Sequence, residues 1–206
     1  MIAKFRNAGQ TCVCANRIYV HDSVYEQFTA KLVDRVRKLK VGNGLDAGTH
    51  IGPLINDAAA SKVLSHISDA VEKGAKVAFG TLPQHGSRLL VPHVLTDMSD
   101  DMLVAHEETF GPLAALFRFS SEEEVVARAN ATDFGLAAYC YTQSLARAWR
   151  MSEALESGIV GINEGLISTT LAPFGGVKES GLGREGAKHG LEEYLEVKYT
   201  LMGGLN

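Results

Sequence analysis

The chain is short of cysteine: three among 206 residues, at Cys12, Cys14 and Cys140. An odd count in a chain long enough to bury its own core argues against a disulfide-stapled fold and fits a reducing compartment. Zinc-ligand spacing is missing too. No Cys-x-x-Cys or His-x-x-x-His pair occurs, and the histidines (His21, His50, His66, His85, His93, His106, His189) are scattered singly. A structural zinc takes four converging ligands, so no metal site is expected. Basic charge is not in excess: 20 Lys and Arg stand against 24 Asp and Glu, for a net charge of -4. That leaves no footprint for nucleic acid or an anionic membrane. No apolar run approaches the ~18 residues of a membrane span. The opening Met1-Ile2-Ala3-Lys4-Phe5-Arg6 carries no signal-peptide core or cleavage pattern. Internal repeats and low-complexity tracts are also absent. The expectation is a soluble, cytoplasmic protein, with the mitochondrial matrix as the alternative compartment.

What is present alternates between strand and helix patterns. Arg17-Ile18-Tyr19-Val20 is rich in β-formers, and Asp22-Ser23 opens a periodic stretch with Val24, Phe28, Leu32, Val36 and Leu39 on one face. A second amphipathic helix is predicted over residues 57–73, with Val63, Ile67, Ala70 and Val71 inward and Gly74 just past its end. Lys76-Val77-Ala78-Phe79 and Leu89-Leu90-Val91 read as strands around a turn at Pro83-Gln84-His85-Gly86. Residues 113–119 read as a further strand. Ser120-Ser121 followed by Glu122-Glu123-Glu124 has the form of a capped helix start with acids in the first turn. Two more strands, 137–141 and 158–162, flank a helix over 145–155. Such alternation predicts an α/β fold with a mostly parallel twisted sheet flanked by helices. Residues 194–202 alternate like an exposed edge strand, which needs a partner, and a second subunit could supply it.

The densest chemical signal is Phe5-Arg6-Asn7-Ala8-Gly9-Gln10-Thr11-Cys12-Val13-Cys14-Ala15-Asn16-Arg17. A thiol in such a loop is a candidate nucleophile, since thiolates attack carbonyls well. Gly9 permits close backbone approach, and the main-chain N–H groups around Cys12 could face a developing oxyanion. Phe-x-x-x-Gly-Gln-x-Cys resembles the active-site signature of the aldehyde dehydrogenase family. Two further runs are similar to that family in the same order: Glu107-Glu108-Thr109-Phe110-Gly111-Pro112, and Pro173-Phe174-Gly175-Gly176-Val177-Lys178-Glu179-Ser180-Gly181. The likeness covers residues 5–199.

The resemblance implies an aldehyde dehydrogenase catalytic domain over residues 1–190 and an oligomerisation segment over 191–206, joining copies as a dimer or tetramer. It implies Cys12 as nucleophile, NAD or NADP as cofactor, and Glu108 and Phe110 as contacts to the nicotinamide ribose and ring. The family's cofactor domain, oxyanion Asn and general-base Glu would lie upstream of Cys12. Only eleven residues precede it and no glycine-rich dinucleotide turn is present. The chain is therefore expected to be the C-terminal catalytic half. Arg6 and Ser168 stand where members that oxidise succinate semialdehyde to succinate, in 4-aminobutyrate degradation, hold the substrate's far carboxylate. A guanidinium suits that task because it donates two parallel hydrogen bonds. Phe174 would wall the substrate tunnel. Cys14, two residues from the nucleophile, is a possible redox partner able to close a strained, labile disulfide. Alternatives are a dehydrogenase for glutarate semialdehyde and a truncated, non-catalytic assembly module. Faster labelling of Cys12 than of Cys140 separates an enzyme from such a module.

Overall fold

A computed structural model describes residues 1–81 and 86–205. The turn expected at Pro83, Gln84 and His85 lies outside them. The chain begins with a short helix α1 (Ile2–Phe5), a 3-10 turn (Arg6–Gly9) and an irregular loop, then enters β1 (Arg17–His21). A second 3-10 turn (Asp22–Val24) leads to α2 (Tyr25–Val36), which is followed by α3 (Asp57–Glu72), β2 (Lys76–Phe79), β3 (His93–Met98) and a one-turn helix α4 (Leu103–His106). Then come β4 (Leu113–Phe119), α5 (Glu122–Asn130), β5 (Phe134–Gly135), β6 (Ala137–Cys140), α6 (Leu145–Ala154), β7 (Ile159–Ile162) and β8 (Val177–Lys178).

The principal sheet has the order β1-β4-β3-β2. β4 is its spine. Leu113, Ala114, Ala115, Leu116 and Phe117 are all fully buried, as a continuous apolar run requires when both faces of a strand are covered. β1 and β3 pair with it in parallel, whereas β2 pairs antiparallel with β3. The sheet is therefore mixed, not uniformly parallel. A parallel β2 would need a crossover, and the described residues linking it to β3 contain no helix. The family-like α/β layering stands. A separate parallel pair, β6-β7, is joined through α6, and β5 pairs with β8.

Three local expectations are corrected. Leu89-Leu90-Val91 forms no strand, and Pro92, which has no N–H for a ladder, separates it from the strand that does form, β3. On α2 the buried face runs through Tyr25, Leu32 and Val36, while Val24 and Phe28 are exposed. The 3-10 turn at 22–24 shifts the helical phase, and Tyr25 takes the inward place, donating to the Leu116 carbonyl at 3.1 Å and accepting from the Asp97 N–H at 2.9 Å. On α3, Val63, Ile67 and Ala70 are buried as predicted, but Val71 is 41% exposed. The helix is capped by Asn56, whose side chain accepts from the Ala59 N–H, and ends before Gly74 at φ +101°.

Residues 194–202 make no strand in this single chain. They run through a 3-10 turn (His189–Tyr194) into exposed, extended chain in which Tyr194, Val197 and Tyr199 stand almost free. Among the described residues they pair with no strand.

Candidate active site

The loop carrying Cys12 is clamped from several sides. Phe5, 5% exposed, roots it in the core. Asn7, Ala8 and Gly9 then take left-handed conformations in succession, at φ 52°, 58° and 76°. Asn and Gly visit that region readily, whereas Ala does so at a cost of roughly 1–2 kcal/mol. The turn is held by a clasp: Asn7 Nδ2 donates to the Gln10 carbonyl at 3.1 Å, and Gln10 Nε2 donates to the Asn7 carbonyl at 3.2 Å. The Gln10 side-chain oxygen also accepts from the Ile55 N–H at 2.9 Å. At the far end the Ala15 N–H donates to the Ala3 carbonyl at 2.8 Å. Tyr139, on β6, donates its hydroxyl to the Val13 carbonyl at 2.7 Å. Between these ties Cys12 stands exposed. Its backbone N–H has no hydrogen-bond acceptor among the described residues.

The second run lies directly against this loop. A Cβ on Gly9 would stand 2.2 Å from the Gly111 carbonyl oxygen, so only glycine fits where the two segments touch. Asn16 completes the join. Its Nδ2 donates to the Val104 and Glu107 carbonyls at 2.8 and 2.9 Å, and its Oδ1 accepts from the Thr109 N–H at 2.9 Å. Thr109 is buried, while Glu108 and Phe110 on either side of it are turned outward. Phe110 holds a left-handed φ of 53° and is 37% exposed. The Glu108 carboxyl is pushed up by desolvation against the chain, with Lys62 and Lys4 pulling it back. A carboxylate beside a partly exposed aromatic ring, on a segment pinned from behind, fits a sugar hydroxyl pair and a flat ring.

Two further side chains, Lys4 and Tyr139, border the same loop. Lys4 is 4% exposed, and burial brings its ammonium down to about 8, with the facing Cys14 and Glu108 opposing. Tyr139 is pushed up to about 12, by desolvation first and then by Cys14, with Arg6 opposing. Both therefore sit among the loop's polar groups. Lysine in a short apolar-flanked helix and tyrosine in a strand gave no signal in the sequence. Asn16 was inside the recognised run, but only its pairing across 93 residues reveals its work.

The remaining candidates are less tightly held. Arg6 is half-buried at the loop's start, and its carbonyl lies 3.9 Å from Cys14 Sγ. Cys14 Sγ also meets Thr11 Oγ1 at 2.7 Å, so a bond to Cys12 would require both contacts to be released. Ser168 is exposed on a loop whose Gly165 packs against Ala3, three residues before Arg6. Phe174 is half-buried and exchanges two 2.8 Å backbone hydrogen bonds with Glu185. Cys140 is half-buried, and burial raises its thiol pKa.

An exposed thiol on a clamped loop, abutting a carboxylate-and-ring segment, defines a class. Residues 1–200 match the aldehyde dehydrogenase family, and the chain belongs to it. Among particular relatives, it is 58% identical over 206 residues to the succinate semialdehyde dehydrogenase of Acinetobacter baylyi, covering 100% of this chain and 43% of that protein. It is 56% identical over 206 residues to the glutarate-semialdehyde dehydrogenase of Pseudomonas aeruginosa, again covering 100% of this chain and 43% of that protein. Its fold matches the crystal structure of an NADP-dependent enzyme of Escherichia coli with a TM-score of 0.95 at 57% identity, over 98% of this chain and 42% of the other. The chain thus spans less than half the length of these relatives.

Proposed function

We propose that this chain is the cysteine-bearing catalytic part of an NAD(P)-dependent dehydrogenase that oxidises succinate semialdehyde to succinate. The observation that carries the reading is the exposed Cys12, with an unengaged N–H, held against the segment bearing Glu108 and Phe110. The relatives named above favour a carboxylated semialdehyde. Cys12 thiolate adds to the aldehyde carbon, forming a C–S bond while the carbonyl π pair moves to oxygen. That oxygen faces the Cys12 N–H, which donates to the developing charge. A bound nicotinamide would supply the hydride acceptor for this carbon, and Cys12 would be left holding the acyl group as a thioester. Water then cleaves the C–S bond, releasing succinate and the free thiol. Glu108 accepts from the ribose hydroxyls, and Phe110 bounds the ring's position. Arg6 and Ser168 hold the distal carboxylate, and Phe174 walls the approach.

Residues 1–190 act as the catalytic domain, with the dinucleotide cradle and the water-activating base supplied by the rest of the protein. The exposed residues 194–202 pair with a second subunit. Glutarate semialdehyde is the second reading, favoured by the 56% identity to the Pseudomonas aeruginosa enzyme.

The test is a steady-state comparison of succinate semialdehyde, glutarate semialdehyde and butyraldehyde with the full-length protein and its Cys12→Ser and Arg6→Ala variants. Cys12→Ser is expected to lose at least about 10³-fold in kcat on every aldehyde. Arg6→Ala is expected to lose roughly 10²-fold in kcat/KM on the two semialdehydes while sparing butyraldehyde. Equal loss on all three substrates would overturn the assignment of Arg6 and with it the carboxylated substrate.

A further inference from the structure

The face of α3 runs as a template along the segment that bears Glu108 and Phe110. Lys73 Nζ donates to the Asp101 carbonyl at 2.7 Å, and Asp69 Oδ2 accepts from the Leu103 N–H at 2.7 Å. His66 Nδ1 meets Thr109 Oγ1 at 2.9 Å, and its Nε2 meets Glu107 Oε2 at 3.4 Å. Val63 closes the line, since a Cβ on Gly111 would stand 2.3 Å from Val63 Cγ2. Residues 63, 66, 69 and 73 are spaced by three, three and four, which is one face of a helix.

His66 is the polar member of this line that is fully buried. It is 1% exposed, as is Thr109. A carboxylate only accepts, so Nε2 carries the proton toward Glu107, and Nδ1 of the neutral ring accepts from the Thr109 hydroxyl. Burial lowers the histidine's pKa and so favours that neutral form. Glu107 and Asp69 pull toward the charged form and Lys62 pushes away from it. Thr109 is thereby gripped twice, by Asn16 at its N–H and by His66 at its hydroxyl.

From this we infer that His66 is a positioning residue: through Thr109 it fixes the outward aim of Glu108 and Phe110, and hence the binding of the nicotinamide dinucleotide. The inference rests on the functional reading above. A buried histidine that merely filled space would affect folding, and it would have no selective effect on the cofactor.

The test uses full-length His66→Phe, His66→Gln and Thr109→Val, measuring NAD and NADP dissociation constants by calorimetry, KM for the aldehyde, iodoacetamide alkylation of Cys12, and hydrogen exchange over residues 105–111. His66→Phe leaves the Thr109 hydroxyl buried and unpaired, and dinucleotide affinity is expected to fall about tenfold. Aldehyde KM and Cys12 alkylation should stay within about twofold of the parent, and exchange should accelerate over 105–111 but not over β4. His66→Gln, whose amide can still meet Thr109, should recover most of the affinity. Thr109→Val removes the same bond from the other side and must reproduce the loss, which covers the case of a poorly folding His66→Phe. Unchanged dissociation constants, or cofactor and aldehyde binding failing together, overturn the inference alone. A parent protein that binds neither dinucleotide overturns the functional reading and the inference with it.

Discussion

The two parts of this chain are held together by different means. Up to Phe119, one continuous core gathers α2, α3 and the four-stranded sheet around β4. Beyond it, the buried apolar side chains among the described residues reduce to Val125, Met151 and Leu155. Ion pairs lie across the surface there. Glu122 of α5 accepts from both Arg147 and Arg150 of α6, which hold its carboxyl down at about 2. The candidate site straddles this divide. Cys12, Glu108 and Phe110 are tied into the first part by hydrogen bonds that cross long stretches of sequence. Ser168 and Phe174 ride on loops of the second part, with Leu171 and Leu182 facing solvent. The Cys12 loop and the Glu108–Phe110 segment are therefore preorganised by the chain itself, whereas the loops of Ser168 and Phe174 have little buried apolar packing beneath them.

The sharpest way to break that contrast is at the point where loop and segment touch. Gly9→Ala places a Cβ into the Gly111 carbonyl and imposes a side chain on a left-handed residue. Overpacking and backbone strain together predict a loss of about 3 kcal/mol, read from the urea midpoint. A loss comparable to that at an exposed glycine such as Gly181 would mean the loop is not seated as described. Asn16→Ala comes next. It leaves the Thr109 N–H and the Val104 and Glu107 carbonyls without the side chain that joins them, and about 2 kcal/mol should be lost. The same variant should speed hydrogen exchange over residues 104–110. Unaltered exchange there would assign the rigidity of the segment to α3 alone.

The sequence disclosed the parts whose signals are local. The run Leu113-Ala114-Ala115-Leu116-Phe117 reads as part of a strand and is one. Ser121 reads as a helix cap, and it accepts from the Glu124 N–H. The recognised runs placed Cys12 and the Glu108–Phe110 segment in one family, and the structure brings the two runs into contact. What stayed hidden is non-local. β3 carries Thr96 and a left-handed Asp97 with a break in register, so no alternating pattern marked it. The His66–Thr109 bond joins residues 43 apart and depends on how α3 lies on the sheet. The strand expected at 194–202 does not form in the single chain.

Lys4 gives a smaller and pH-dependent test of the first part. The folded chain releases its proton near 8, against an ordinary value of 10.5. Between those values the unfolded chain holds more protons, so this group makes stability rise with pH, by at most about 1.4 kcal/mol per unit. Lys4→Met removes the slope. Its stability advantage over the parent should be largest near neutrality and shrink through this window, as followed by urea titrations at several pH values. A gap that stays constant across the window would mean that Lys4 keeps its proton in the folded chain, contrary to its burial between Cys14 and Glu108.

The smallest effect on stability is predicted where the second part meets the substrate. Ser168 is exposed and makes no hydrogen bond among the described residues. Ser168→Ala should therefore change stability by less than about 0.5 kcal/mol. Its proposed bond is to a carboxylate that arrives with the substrate. In the full-length protein it should raise KM for succinate semialdehyde several-fold and leave that for butyraldehyde unchanged, the expected loss of one charge-assisted hydrogen bond. If Ser168→Ala instead destabilised the fold as strongly as Asn16→Ala, the second part would be as firmly ordered as the first. The serine would then belong to the architecture rather than to the substrate.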